Sequence, residues 1–321
     1  MAFELYSRAA EHEYQWRAEF ELGICYELGT GVERDMEEAF RHYMKAADNE
    51  YFGEAHYKLG ECYEYGFGVE EDEEEAEIWY QKAADNENGP ALYHIAKYAG
   101  DEYEAFELYL KSAEQGYTHA IHEVGECYEY GIGVEEDIYE AVEWYEKGAE
   151  LDNGKSLCSL GQLYLDGNGV EKDEYMAFSC FERAYDSNVY SDVCFWLGLC
   201  YSNGYGTEVN YGKAAELFFE GYDSYGEEIC EYMLAECYRL GRGVNKNRNK
   251  ALELYKELSE SSNTQISESS EKMYNEILQN IDKSDSLKKA AVETAKKVGS
   301  SALRLSGNPI AAAIASILDE I

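Results

Sequence analysis

Leu59-Gly60-Glu61-Cys62-Tyr63-Glu64-Tyr65-Gly66-Phe67-Gly68-Val69 is the stretch that decides the fold, because the chain repeats it with variations. Copies run from Leu22 to Val32, Val124 to Val134, Leu160 to Val170, Leu197 to Val209 and Leu234 to Val244, and a shortened copy begins at Ile95. The small residue in second place (Gly23, Gly60, Ala96, Gly125, Gly161, Gly198, Ala235) recurs at intervals of 37, 36, 29, 36, 37 and 37 residues. A fixed period of that length marks a stacked repeat solenoid, in which each unit buries its apolar face only against its neighbours. Such stacks commonly present binding surfaces, so the pattern points to interaction rather than reaction.

Within one repeat, Ala55, Leu59, Gly60 and Tyr63 fall at i, i+4, i+5 and i+8 and form the apolar stripe of a first helix. Gly66 and Gly68 end it, since glycine accepts the positive φ at which helices terminate. Val69 is the apolar residue that plugs the loop onto the helices. Asp72 and Glu75 then read as a capping box, repeated at Asp35/Glu38 and Asp137/Glu140. A second helix over Glu73 to about Ala84 follows, with Ala76, Trp79, Tyr80, Ala83 and Ala84 on one face.

The Leu-Gly-x-x-Tyr of the first helix, the Gly-x-Gly-Val-x-x-Asp of the loop and the Ala-x-x-Trp/Tyr-Tyr-x-Lys-Ala-Ala of Ala76 to Ala84 resemble the Sel1-like repeat family, longer-looped relatives of tetratricopeptide repeats. Weaker copies of the last element lie at Ala39 to Ala47, Ala141 to Ala149 and Ala214 to Tyr222. The resemblance covers about Ala2 to Leu258. It implies an all-α, right-handed α-solenoid of helix-loop-helix units with a C-terminal helical cap. It also implies a non-catalytic scaffold or adaptor that holds a protein or peptide.

Two features depart from the pattern. The Ile95 copy lacks seven residues between its helices and turns tightly at Gly100-Asp101, keeping the box as Asp101/Glu104. The chain also opens in mid-repeat: Ala2 to Ala10 matches the second helix Ala39 to Ala47, as a half-repeat cap or as the continuation of upstream sequence. The expected organisation is a solenoid over 1–258 (half-repeat 1–13, then seven repeats), a polar linker over 259–270 and a C-terminal helical segment over 271–321.

The net charge is −39. Up to Leu258 there are 20 Lys and Arg against 57 Asp and Glu, and beyond it 7 against 9, so the repeats carry almost all the acidity. Phosphate backbones and anionic membranes are poor partners for such a surface. The charge reads either as a solubilising coat or as an attractor of a basic partner at salt-dependent rates. No run of 18 apolar residues spans a membrane and no signal-peptide pattern opens the chain, so a cytoplasmic location is expected. Cys25, Cys62, Cys127, Cys200 and Cys237 share one slot, before the repeat tyrosine. Equivalent slots in neighbouring repeats stand about 10 Å apart, beyond disulfide reach, so these read as buried thiols packing as small apolar residues.

Each apparent catalytic or metal motif in the sequence has a structural explanation. Asp166-Gly167-Asn168-Gly169 lacks the length and closing glutamate of a calcium loop. The glycine loops follow no strand and lack the Lys-Ser/Thr of a phosphate cradle. His119 and His122 form an i, i+3 pair without cysteine or histidine companions at zinc spacing. The reading is therefore a non-enzyme with neither a metal nor a cofactor.

In tetratricopeptide-like stacks the first helices line the concave face, which puts positions −2, +2 and +5 relative to Leu59 in a groove. The partner-binding candidates are Tyr57, Glu61 and Glu64; Tyr93 and Lys97; His122, Glu126 and Glu129; and Tyr232 and Glu236. An aromatic floor edged by glutamates suits a peptide bearing Lys or Arg and apolar groups. The tail reads as helices over about Glu271 to Ile281, Asp285 to Val298 and Asn308 to Ile321, the second basic and the third apolar. It is expected to cap the last repeat, to fold into the acidic groove, or to dock elsewhere. An alternative function follows from it: a regulatory subunit whose C-terminal helices gate or activate an effector enzyme.

Overall fold

The computed structural model describes residues 2–10, 16–187, 192–261 and 263–279. These residues form helices joined by short loops, and no strand occurs among them. The chain divides into two compact units, Met1–Tyr190 and Ser191–Ile321. The first contains α1 (Ala2–Ala10), α2 (Trp16–Leu28), α3 (Met36–Ala46), α4 (Gly53–Tyr65), α5 (Glu73–Asp85), α6 (Gly89–Tyr98), α7 (Glu102–Glu114), α8 (Thr118–Tyr130), α9 (Ile138–Glu150), α10 (Gly154–Asp166) and α11 (Glu174–Asp186). The second contains α12 (Asp192–Asn203), α13 (Tyr211–Tyr225), α14 (Glu228–Leu240) and α15 (Arg248–Leu258), followed by α16 over residues 264–279. The expected all-α helical repeat is the observed fold.

The loop shows why its two glycines differ. Gly66 ends α4 at φ 67°, with its N–H donating to the Cys62 carbonyl. Gly68 is needed for space as well as for its φ of 72°: a Cβ there would stand 2.0 Å from the Met36 carbonyl oxygen at the start of α3. The loop thus lies directly on the preceding repeat, where Val69 packs against the cluster of Ala39, Tyr43, Leu59 and Cys62. Asp72 closes the loop, its Oδ1 accepting from the Glu74 and Glu75 backbone N–H groups at 3.1 Å. Asn210 and Asn247 cap α13 and α15 in the same manner.

The small residue of the repeat is a packing device. A Cβ on Gly60 would lie 2.6 Å from Cδ1 and Cε1 of Tyr80, and the same overlap arises at Gly23 with Tyr43, Gly125 with Tyr145, Gly161 with Phe181 and Gly198 with Phe218. In these five repeats the second helix lays one aromatic ring on the bare backbone of its first helix. Tyr43, Tyr80, Tyr145, Phe181, Phe218 and Tyr255 are accordingly among the largest fully buried side chains. Each such ring contributes about 1.5–3 kcal/mol by leaving water. Cys62, rather than Tyr63, completes the buried stripe of α4, and all nine cysteines are buried with free thiols.

The polar stretch 259–270, expected as a linker, is helical from 264. The reason is local: Asn263 Oδ1 accepts from the Ile266 N–H at 3.4 Å and starts α16, and the Ser267 hydroxyl donates to the Ser259 carbonyl at 2.8 Å. Ile277 and Ser270 are buried, and Met273 and Ile277 line a cavity with Arg239, Leu240, Lys246 and Arg248. The expected helices over Asp285–Val298 and Asn308–Ile321 lie outside the described residues.

Candidate functional site

The face expected to bind a partner is built on internal posts. In three repeats of the first unit the tyrosine laid on the glycine donates its hydroxyl to a glutamate four residues beyond that glycine. Tyr43 donates to Glu27, Tyr80 to Glu64 at 2.5 Å and Tyr145 to Glu129 at 2.7 Å. Where the ring is Phe181 or Phe218, the glutamate position holds Leu165 or Ser202. The last repeat has Arg239 at that position and Ala235 in the glycine slot. There Tyr255 donates instead to Glu236, whose carboxylate also takes two bonds from Arg239, at 2.8 and 2.6 Å. Burial and the accepting carboxylates push these four phenols far above the ordinary tyrosine range.

Glu64, Glu129 and Glu236, three of the expected partner-binding residues, are thus committed to the fold. His122 departs furthest from the groove position read for it: it is 5% exposed, with its ring 5.5 Å from that of Tyr145. Tyr57 is half-buried with its ring 5.5 Å from Tyr80, and Tyr232 stands in the same relation to Tyr255 at 5.6 Å. Lys97 is exposed, its ammonium 5.7 Å from the Tyr98 ring.

What comes together is a half-buried aromatic and carboxylate surface on α4, α6 and α8. Tyr93 packs edge-on to Tyr117 at 5.2 Å and against Tyr109 at 5.6 Å, and its hydroxyl lies 3.5 Å from Glu123 Oε1. The Tyr57 phenol is pushed upward by burial, then by Glu61 and Tyr117. Lys58 ties the surface to the preceding repeat, its Nζ 2.9 Å from Glu61 and 3.1 Å from Glu27. Across α8, Glu126 is pushed up to about 7 by burial and by neighbouring Glu123, while burial drives His122 down to about 3. Glu123 also meets Lys155 at 3.6 Å.

Sequence reasoning missed Glu123, Tyr117 and Lys155, which lie outside the −2, +2 and +5 positions. The posts left a readable signal in the covariation of tyrosine with glutamate and of phenylalanine with leucine or serine. Burial pushes the Cys62 thiol up to about 12 and those of Cys127 and Cys237 up to about 11, which makes these three poor nucleophiles. Among the described residues, no helix is long and apolar enough to cross a membrane.

The Sel1 repeat matches residues 1–14, 16–51, 53–88, 91–117, 118–153, 154–189, 191–223 and 229–263. A solved structure of c5321, a protective antigen of uropathogenic Escherichia coli displaying an SLR fold, is 26% identical with a TM-score of 0.65; the match covers 99% of this chain. The chain spans 64% of the length of that structure. A Sel1 repeat protein from Oxalobacter formigenes is 28% identical with a TM-score of 0.60, over 65% of this chain and 88% of its own. No curated protein matches the chain. Matches to the repeat at intervals from residue 1 to 263 establish that this chain belongs to the Sel1 repeat family.

Proposed function

We propose that the chain is a non-catalytic scaffold or adaptor that binds a protein or peptide with basic and apolar residues on the α4–α6–α8 face of its first unit. Sel1 and tetratricopeptide-like repeats generally mediate protein–protein interaction. The observation that carries the finer reading is the half-buried set Tyr57, Tyr93 and Tyr117 interleaved with Glu61, Glu123 and Glu126. Rings of this kind provide rigid apolar contact at low entropic cost, and the carboxylates select cationic side chains. The net charge of −39 supports the same preference. Buried free thiols support a reducing compartment, and we place the chain in the cytoplasm. The packing of Met273 and Ile277 against the last repeat supports a capping role for residues 264–279.

The test is a peptide array probed with the full chain at low and moderate salt. Lys/Arg-rich, aromatic-containing peptides should be retained over acidic ones and released by salt. Tyr93→Ala and Glu61→Gln should weaken that retention while leaving the far-ultraviolet circular dichroism unchanged. Glu64 and Glu129 are unsuitable targets because they serve the tyrosine posts. No preference for basic peptides, or retention unchanged in both variants, overturns the reading.

A further inference from the structure

One group on this face has a shape that peptide binding does not require. His122 is buried on α8 with its Nε2 3.2 Å from the Ser159 hydroxyl oxygen on α10. Its Nδ1 is fully buried and has no hydrogen-bond partner. That nitrogen faces two carboxylates, Glu126 Oε2 at 3.5 Å and Glu123 Oε1 at 4.0 Å. One ligand atom from each of the three residues falls within 4.8 Å of the others.

We propose that His122, Glu123 and Glu126 bind a divalent transition-metal ion such as Zn2+. In the tautomer whose Nε2–H donates to Ser159, the one a metal at Nδ1 requires, Nδ1 presents a lone pair to two acceptor carboxylates. A buried acceptor facing acceptors is costly, and two neighbouring carboxylates repel each other. A dication satisfies all three groups at once. The donor set of one imidazole and two carboxylates is that of a zinc-type site with an open position, rather than the oxygen cage of calcium. Tetrahedral ligands at about 2.1 Å from zinc stand roughly 3.4 Å apart, so the observed gaps close by small rotations of the glutamates. Ser159 orients the imidazole through its remote nitrogen, as outer partners of metal-bound histidines do. Glu126 keeps 39% of its side chain exposed and provides the route of entry. Other groups facing the cluster include Lys155, which meets Glu123, together with His119, Tyr93, Tyr109, Tyr130, Tyr145 and Glu129. Lys155 is the internal competitor for the site.

The experiment is calorimetric titration of the intact chain with ZnCl2 at pH 7.5, with thermal melting and a Co2+ absorption spectrum. The expected result is one saturable site, a rise in melting temperature on zinc addition and a Co2+ spectrum without thiolate charge-transfer bands. His122→Gln, Glu123→Gln and Glu126→Gln should each weaken binding at least about tenfold, while exposed Glu135→Gln should not. Absence of binding overturns the proposal. So do Glu123→Gln and Glu126→Gln variants that keep the parent's affinity, or thiolate bands showing capture by cysteine. If His122→Gln fails to fold, the glutamate variants alone decide, since Glu123 and Glu126 are more exposed than the ring.

Discussion

Replacing a tyrosine post by its natural apolar counterpart tests the packing logic of the repeat. The perturbation is the pair Glu64→Leu and Tyr80→Phe, which converts one repeat into the Leu165/Phe181 arrangement of another. Tyr80 is 2% exposed, so Glu64→Leu alone strands its hydroxyl away from water and acceptor. Stranding a buried donor costs about 1–3 kcal/mol. Tyr80→Phe alone loses the 2.5 Å bond but leaves a carboxylate with 25% of its side chain exposed, which water can solvate. That loss is about 1 kcal/mol. With both changes neither group needs a partner, and stability should return to within about 0.5 kcal/mol of the parent. The expected coupling is therefore at least about 1 kcal/mol, read by urea denaturation followed by circular dichroism, with the slope checked because repeat arrays can unfold in steps. In thermal melts it corresponds to roughly 2–4 °C. Additive single effects would refute the pairing of tyrosine with glutamate as the reason for the covariation.

The four raised phenols predict steep alkaline unfolding. Their folded-state pKa values lie above the unfolded ones, so their contribution is full below about pH 10 and is lost as pH rises beyond it; a pH titration of stability should steepen there, less so in Tyr80→Phe. Glu231 is buried on α14 and pushed up to about 7 by burial, then by Glu257. Its contribution is present below about pH 4.5 and lost as pH rises toward 7, so Glu231→Gln should stabilise the chain by about 1–3 kcal/mol at pH 8 and little at pH 4. Gly68→Ala places a methyl group 2.0 Å from the Met36 carbonyl and should cost about 2 kcal/mol or more, with faster amide exchange at the start of α3. His122 should remain neutral at pH 5 in ring-nitrogen NMR, because burial holds it down to about 3; a titration midpoint near 6.5 would contradict its placement.

The periodicity at Gly23, Gly60 and Gly125, the loop glycines and the capping aspartates determine the helix-loop-helix repeat without reference to tertiary structure. The caps and helix-ending glycines act within one repeat, through backbone conformation and spacing, and such local constraints are written directly in residue order, whereas Gly68 also makes room for Met36 of the preceding repeat. The short Asn263-capped start of α16 belongs to the same class, but its serine-rich text lacks an apolar stripe to announce it. Tertiary structure alone decided which glutamates are available. Glu61 and Glu64 look equivalent on the first helix, yet one meets Lys58 and the other takes the hydroxyl of a ring 16 residues away. It also decided that Glu123 and Lys155 share a surface with His122, since they come from α8 and α10 of successive repeats. A side chain's partner depends on burial and on the neighbouring helix, and neither quantity is a property of its own segment.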